Sequence, residues 1–234
     1  MLFNNIDMRK ILFCFFFLTY STLLFSQTDI QEHYDFGKNR KYLTTTLEMF
    51  KADEWGNTYF FIDFDYDNGE NNHTSSSYME ISRTINLGDT PFGVQAEYDG
   101  GVGNSDGFGY SIRNAFLFGG NYNIHNKDFS RNFTLQLLYK YIQGDDSFDS
   151  ENSAQITIVW NFNFLNAKFS FDGFADTWME NNNNGNNSIV FMTEPQIWYN
   201  FNNHLSAGSE IEISKNLYSD NLRVNPTLAM KWIF

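Results

Sequence analysis

Asn57-Thr58-Tyr59-Phe60-Phe61-Ile62-Asp63-Phe64-Asp65-Tyr66 is the stretch that decides the fold. Phe60, Ile62, Phe64 and Tyr66 fall on one parity; Tyr59, Phe61, Asp63 and Asp65 fall on the other. Successive side chains of a strand point to opposite faces, so one face here is greasy and the other carries carboxylates. The pattern recurs along the chain. Phe92, Val94, Ala96 and Tyr98 oppose Gln95, Glu97 and Asp99. Ile156, Ile158, Trp160, Phe162 and Phe164 oppose Gln155, Thr157, Asn161 and Asn163. Phe169, Phe171, Gly173 and Ala175 oppose Ser170, Asp172, Phe174 and Asp176, and Ala207, Ile211 and Ile213 oppose Glu210 and Glu212.

Period-two runs of this kind predict strands at Ile30–Phe36, Lys41–Phe50, Asn57–Tyr66, Ser77–Leu87, Phe92–Asp99, Arg113–Ile124, Phe133–Gln143, Ser153–Phe164, Lys168–Trp178, Ile189–Asn200, Leu205–Ser214 and Leu222–Phe234. Many are about ten residues or longer, which suits a tilted strand crossing a bilayer; strands in soluble proteins run nearer about five or six. The connections alternate in length. Counting back from Phe234, Lys215–Asn221 is long, Asn202-Asn203 tight, Glu180–Asn187 long, Asn166 tight, Asp145–Asn152 long, Asn126–Asn132 medium, Gly100–Ile112 long, Gly88–Pro91 tight and Asp67–Ser76 long. Lys51–Gly56 is medium, and Gly37–Arg40 is a short exception. Short turns on one side and long loops on the other define an all-β, twelve-stranded antiparallel transmembrane barrel of outer-membrane type, an up-and-down meander. An even strand count puts both ends of the barrel on the short-turn, periplasmic side. The last strand is expected to close against Ile30–Phe36, which removes the sheet edges.

Composition agrees. Aromatics make up 19% of the 234 residues and charged residues 18%, below the roughly 25% of soluble domains. No stretch after Ser26 approaches the ~20 apolar residues of a membrane helix. Arg9-Lys10, the apolar run Ile11–Phe17 and its looser continuation to Phe25, then Ser26-Gln27, read as a signal peptide over 1–26, with Met8 an alternative start and 27–234 the barrel. The only cysteine, Cys14, lies in that segment, so the mature chain has no thiol for a disulfide, metal or nucleophile. A net charge of −13 disfavours nucleic acid as a partner. Phe50, Trp55, Phe164, Trp178, Trp198, Tyr199, Trp232 and Phe234 sit near strand ends and are expected to form interfacial girdles against the lipid bilayer. Leu228, Met230, Trp232 and Phe234 share a face, and a final strand of this form is similar to the signal read by the outer-membrane assembly machinery, with Trp232 and Phe234 as the contacts.

In a barrel of this size the inward side chains set the pore. The candidates are Tyr59, Phe61, Asp63, Asp65, Glu80, Glu97, Gln136, Lys140, Asp172, Phe174, Asp176, Glu194, Gln196, Glu210 and Glu212, with Arg83 and Lys140 as partners for some of the acids. Strict alternation puts Arg83 opposite to Glu80; a bulge near Ser82 would turn it inward, and otherwise the register there is different. Charged pairs also fill and brace any hydrated barrel. The rings of Tyr59, Phe61 and Phe174 stand out, because aromatic groups facing a wet lumen either bind something or plug it.

Other motifs carry less. Asp63-x-Asp65-x-Asp67-Asn68-Gly69 resembles the start of a calcium loop, but the glycine comes one place late and Thr74 stands where a glutamate is needed. Gly100-Gly101-Val102-Gly103 lacks the helix and the base of a phosphate cradle and reads as a mobile external loop. Asn181–Asn184 and Asn186-Asn187 are low-complexity loop sequence. His33, His73, His125 and His204 have no metal-ligand spacing, and no cofactor is implied. His73 with Ser75–Ser77 is a faint candidate for a lipase- or protease-type barrel, without an orienting acid, so an enzyme is not expected. A structural or adhesion barrel with a plugged lumen is the other alternative.

Several stretches in order carry a family resemblance: Tyr34-Asp35-Phe36-Gly37, Arg40–Phe50, Trp55–Asp65, Tyr78-Met79-Glu80-Ile81-Ser82-Arg83, Tyr139-Lys140-Tyr141, Phe171-Asp172-Gly173-Phe174-Ala175-Asp176, Glu194-Pro195-Gln196 and Val224-Asn225-Pro226-Thr227. Together they resemble the nucleoside-specific channel-forming, Tsx-like outer-membrane proteins, and most closely a divergent DUF5020-type branch. The resemblance implies a monomeric twelve-stranded barrel with a narrow pore in the outer membrane of a Gram-negative bacterium. It further implies passive diffusion of nucleosides and deoxynucleosides.

Overall fold

The computed structural model describes residues 26–38, 40–66, 73–105, 107–146, 148–181, 187–217 and 219–234. The segment up to Phe25, which the sequence reads as a signal peptide, and the stretches 67–72 and 182–186, which it reads as loops, lie outside the described residues.

The strands are β1 (Ser26–Asp35), β2 (Leu43–Asp53), β3 (Gly56–Tyr66), β4 (Thr74–Asn86), β5 (Phe92–Ser105), β6 (Phe108–His125), β7 (Arg131–Ile142), β8 (Glu151–Phe164), β9 (Phe169–Asn181), β10 (Asn187–Thr193), β11 (Gln196–Asn200), β12 (Leu205–Lys215) and β13 (Arg223–Ile233). Every neighbour pair is antiparallel. β10 and β11 are two halves of one wall strand, since both lie between β9 and β12. The wall is therefore twelve strands in sequence order, and β1 pairs with β13 to close it.

The break between β10 and β11 falls at Glu194-Pro195. Proline has no N–H to give the ladder. The chain compensates locally: Glu194 N donates to Phe174 O at 3.1 Å, Thr193 Oγ1 donates to the same carbonyl at 2.6 Å, and Ile211 N donates to Pro195 O at 3.1 Å. Gly173 stands across from this break with φ +148°, and a Cβ there would meet Glu194 O at 2.5 Å. Only glycine tolerates both that backbone angle and that approach.

Interior and exterior are inverted relative to a soluble protein. Among the described residues, seventeen buried side chains are polar or charged and eight are hydrophobic. The outer face carries exposed Ile30, Tyr34, Phe92, Phe118, Leu137, Ile156, Ile197, Leu228, Met230 and Trp232. Monomeric soluble proteins rarely expose a continuous apolar belt of this kind, whereas lipid covers it. Inward positions alternate with these throughout: Asp29, Gln31, His33 and Asp35 on β1 are all buried.

The turns differ in part from their expected lengths. Glu54-Trp55 is a two-residue turn rather than a medium loop, because Asp53 Oδ1 accepts from the backbone N–H of Trp55 and Gly56 and folds the chain back at once. Gly100–Ile112 is not a long loop. β5 runs on to Ser105 and β6 starts at Phe108, with a register irregularity between Asp99 and Gly101. The small residues Gly100, Gly101 and Gly103 let the two backbones stay paired where side chains would read as loop; a Cβ on Gly101 would meet Ser77 O at 2.3 Å. The remaining short turns, Leu87–Pro91, Asn126–Ser130, Leu165–Lys168 and Phe201–His204, all lie at the end of the barrel that holds both chain ends.

Closure is directly testable. Phe36 N donates to Pro226 O and Phe234 N to Thr28 O, so the even positions of β1 are the hydrogen-bonded pairs. His33 and Ala229 are then a non-hydrogen-bonded pair with close side chains. The double substitution His33→Cys with Ala229→Cys in a chain of residues 27–234 forms an internal disulfide on mild oxidation, read as a faster-migrating band. Cysteines at Gln31 and Ala229, two places out of register, give no such band.

Candidate functional site

The functional candidate is the interior. Its walls derive from alternation alone: once Phe60, Ile62 and Phe64 face lipid, Tyr59, Phe61, Asp63 and Asp65 are driven inward, and pairing carries the parity to each neighbour. Tyr59 pairs with Ser82, Phe61 with Glu80, Glu80 with Asp99, Ser82 with Glu97, and Asp172 with Gln196. Of the pore candidates read from sequence, Tyr59, Phe61, Asp63, Asp65, Glu80, Glu97, Gln136, Lys140, Asp172, Phe174, Asp176, Glu194, Gln196, Glu210 and Glu212 lie on this inward face.

Arg83 does not. It pairs with Thr58 on the outward parity, and the irregularity of the β3–β4 pair falls at Asp65/Tyr66, not at Ser82. Its guanidinium holds both oxygens of Asp53 at 2.6 and 2.8 Å beside the turn after β2. Arg83 is thus part of a rim clamp at the short-turn end. Accordingly, Arg83→Gln leaves single-channel conductance and ion selectivity unchanged in planar bilayers; a change in selectivity would put the side chain in the pore after all.

Most of the inward carboxylates are tied to the wall. Thr46 Oγ1 donates to Asp63 at 2.5 Å, Thr44 Oγ1 and Ser76 Oγ donate to the two oxygens of Asp65 at 2.6 Å each, and Asn161 Nδ2 donates to Asp172 at 2.6 Å. Gln196 Nε2 donates to Glu210 at 2.6 Å. Gln95 Nε2 donates to Glu97 at 2.8 Å and to Gln136 Oε1 at 3.0 Å. Lys140 Nζ donates to Gln155 Oε1 at 2.7 Å, lies 3.6 Å from Asp99 Oδ2, and stands 4.3 Å over the Trp178 ring. These contacts brace the lumen and leave it strongly acidic.

Four groups of lumen residues are not among the pore candidates read from sequence. Arg40, in the turn after β1, bridges Asp35 at 3.0 Å and Glu212 at 2.8 Å. In the same turn, burial and then the Asp65 carboxylate push the Tyr42 phenol up. Arg113 bridges Glu151 at 2.8 Å and Glu180 at 2.6 Å at the long-loop end. Glu48, in a run whose three threonines hide its parity, accepts from Tyr59 Oη at 3.3 Å. Asp99 stands directly opposite Glu80.

Three expected girdle residues turn inward. Trp178 and Trp198 share the parity of Asp176 and Gln196, and only 8% and 1% of their surface is exposed. Trp198 Nε1 donates to Gln196 Oε1 at 2.9 Å, His33 meets its ring edge-on at 5.9 Å, and Lys231 Nζ lies 4.1 Å over it. Phe50 also falls on the inward parity, opposite Tyr59, at the short-turn end. Trp55, Phe164, Trp232 and Phe234 are exposed on the outside as expected. Near the long-loop end, Ala115, Leu117, Leu138, Ile142, Trp178 and Val190 form an apolar cluster within the wall, with Met192 and Leu217 packed on it.

One strip of the wall is aromatic. Tyr59 and Phe61 have ring centroids 6.2 Å apart, and Phe61 and Tyr78 are 6.1 Å apart. Tyr78 Oη donates to Glu80 Oε1 at 2.8 Å. Rings and carboxylates therefore lie next to one another on β3 and β4, offering flat apolar faces beside hydrogen-bond acceptors.

This architecture, a closed twelve-stranded antiparallel barrel with a polar interior and an apolar belt, is that of the outer-membrane barrel porins. It is similar to the NanC porin structure, with a TM-score of 0.58, 15% identity, and coverage of 88% of this chain and 99% of that one. The chain belongs to the DUF5020 family, described as a domain of unknown function, whose model matches residues 27–234. An outer-membrane protein of Vibrio cholerae, OmpT with loop L8 deleted (TM-score 0.48, 8% identity, coverage 89% and 98%), and the Acinetobacter baumannii outer membrane protein Omp33 (TM-score 0.41, 12% identity, coverage 89% and 97%) are more distant. Among curated proteins none matches this chain.

Proposed function

We propose that this protein is a monomeric, non-catalytic channel in the outer membrane of a Gram-negative bacterium. It is exported by the signal peptide over 1–26 and delivered by the assembly machinery through Trp232 and Phe234, and it allows passive diffusion of small solutes, nucleosides among them. The observation that carries the substrate class is the strip Tyr59–Phe61–Tyr78 beside Glu48, Asp63 and Glu80. A base can lie against the rings while ribose hydroxyls donate to the carboxylates. Such contacts are weak and repeated, which permits release as well as entry. The acid lining favours cations over anions.

Planar-bilayer conductance of refolded protein, titrated with nucleosides and with sugars, tests this. Cation-selective conductance that nucleosides block and sugars do not is the expected result, and Phe61→Ala weakens the block. Equal effects of both solutes would remove the nucleoside and leave the channel. The burial of Trp198 favours a second reading, a barrel sealed by its own side chains, and absence of any conductance would support it. Catalysis would be the answer instead if the refolded protein hydrolysed esters or peptides and lost that activity on changing His73. In the present arrangement Ser75 Oγ and Ser76 Oγ both donate to Asp65, to its carbonyl and its carboxylate.

A further inference from the structure

We propose that Glu80, Glu97 and Asp99 form a binding site for one hard divalent cation, calcium by preference, on the β4–β5 wall of the lumen. Glu80 and Asp99 are direct cross-strand partners, and Glu97 is two residues from Asp99 on the same face. Like charges placed directly opposite one another destabilise a sheet unless something offsets them. One ligand oxygen from each of the three lies within 4.8 Å of the others. That span is about the diameter of a calcium coordination shell, whose oxygens stand about 2.4 Å from the ion, so a small inward turn of the side chains brings all three onto one ion.

The wall holds the other side of each carboxylate. Tyr78 takes Glu80 Oε1, Gln95 takes Glu97 Oε2, and Lys140 takes Asp99 Oδ2. Asp99 Oδ1 is a separate observation. It is fully buried with no hydrogen-bond partner, on a side chain that is only 5% exposed. A buried carboxylate oxygen without a partner is costly, and oxygen of this kind is what a hard cation takes. Asp176 adds to the deficit. It is near enough to Glu80 and Glu97 to act on both electrostatically, and its own Oδ1 is also buried without a partner. Lys140 is the cation in contact with the group, and it is shared with Gln155 and Trp178. Four carboxylates against one ammonium leave room for two positive charges. The register irregularity after Asp99 lies beside the site, and such irregularities re-aim side chains at binding positions.

Terbium tests the site, because the phenol of Tyr78 touches a ligand and sensitises terbium luminescence. The barrel refolded in detergent is titrated with Tb³⁺ and then with Ca²⁺. The expected result is saturation at a single equivalent and displacement by Ca²⁺. Glu97→Gln with Asp99→Asn weakens Tb³⁺ by about tenfold or more. Asp29→Asn, which removes a lumen acid from the β1 wall, leaves the affinity unchanged. Should the double variant fail to show heat-modifiable migration, Glu80→Gln is read in its place. Absent sensitised emission, binding of many weak equivalents, an unchanged affinity in the ligand variant, or an equal loss in Asp29→Asn would each overturn the proposal.

Discussion

Replacing Arg40 with alanine lowers the unfolding free energy of the barrel by about 3 kcal/mol, the lower end of the range for breaking a buried ion pair. Arg40 is 19% exposed, and its partners Asp35 and Glu212 are 5% and 9% exposed. Removing the guanidinium leaves two carboxylates facing each other out of water. Neither can turn away freely, because Asp35 Oδ1 accepts from Gly37 N at 2.5 Å and Glu212 Oε1 accepts from Ser214 and Asn225. The cluster ties the turn after β1 to β12, and so reinforces the seam from the long-loop end. Arg40→Lys recovers only part of the loss, since one ammonium does not span two acids as the fork does. Equilibrium urea unfolding in lipid vesicles measures both. An unchanged midpoint for Arg40→Ala would mean that water already screens the two acids.

Trp198→Ala has an effect of similar size on stability and a larger one on transport. Deleting a fully buried tryptophan costs about 3–5 kcal/mol. The space it leaves is lined by Gln196, His33 and Lys231, which are polar enough to hold water. The variant therefore gains conductance, on the order of severalfold, because a barrel's lumen side chains set its bore. Single-channel recording against the parent protein decides it. A variant that is less stable but conducts no better would place the narrowest point elsewhere, with the apolar cluster around Trp178 as the next position to open.

The alternation in Asn57–Tyr66 made most of the wall legible. One parity assignment on β3 passes through pairing to every other strand, so the strand order and the seam partner of Leu222–Phe234 followed from periodicity and turn lengths. The inward aromatic and acidic residues followed for the same reason. What failed had local causes. Thr44-Thr45-Thr46 has no parity to read, so Glu48 stayed unassigned. Glycines in Gly100–Gly103 look like loop, although their lack of a side chain is what keeps β5 and β6 paired. Arg83 attracted an inward reading by its charge, but a guanidinium near a strand end finds a carboxylate at the rim without entering the lumen. Trp178 and Trp198 were placed by closeness to strand ends, where interfacial rings gather. Their parity, shared with Asp176 and Gln196, points the other way, and parity wins because a ring cannot cross its own backbone.

Pro195 gives the wall a fixed weak point. A cylinder of unbroken ladders breathes only by fraying at its rims, where water can replace each lost bond. Between β10 and β11 Pro195 supplies no N–H to the ladder, and Gly173, with the Trp160 ring against it, stands opposite. The replacement hydrogen bonds of Thr193, Glu194 and Ile211 hold the wall there, so its local integrity rests on a segment that carries a lumen acid. Any loosening of this rung therefore also displaces a charge within the lumen.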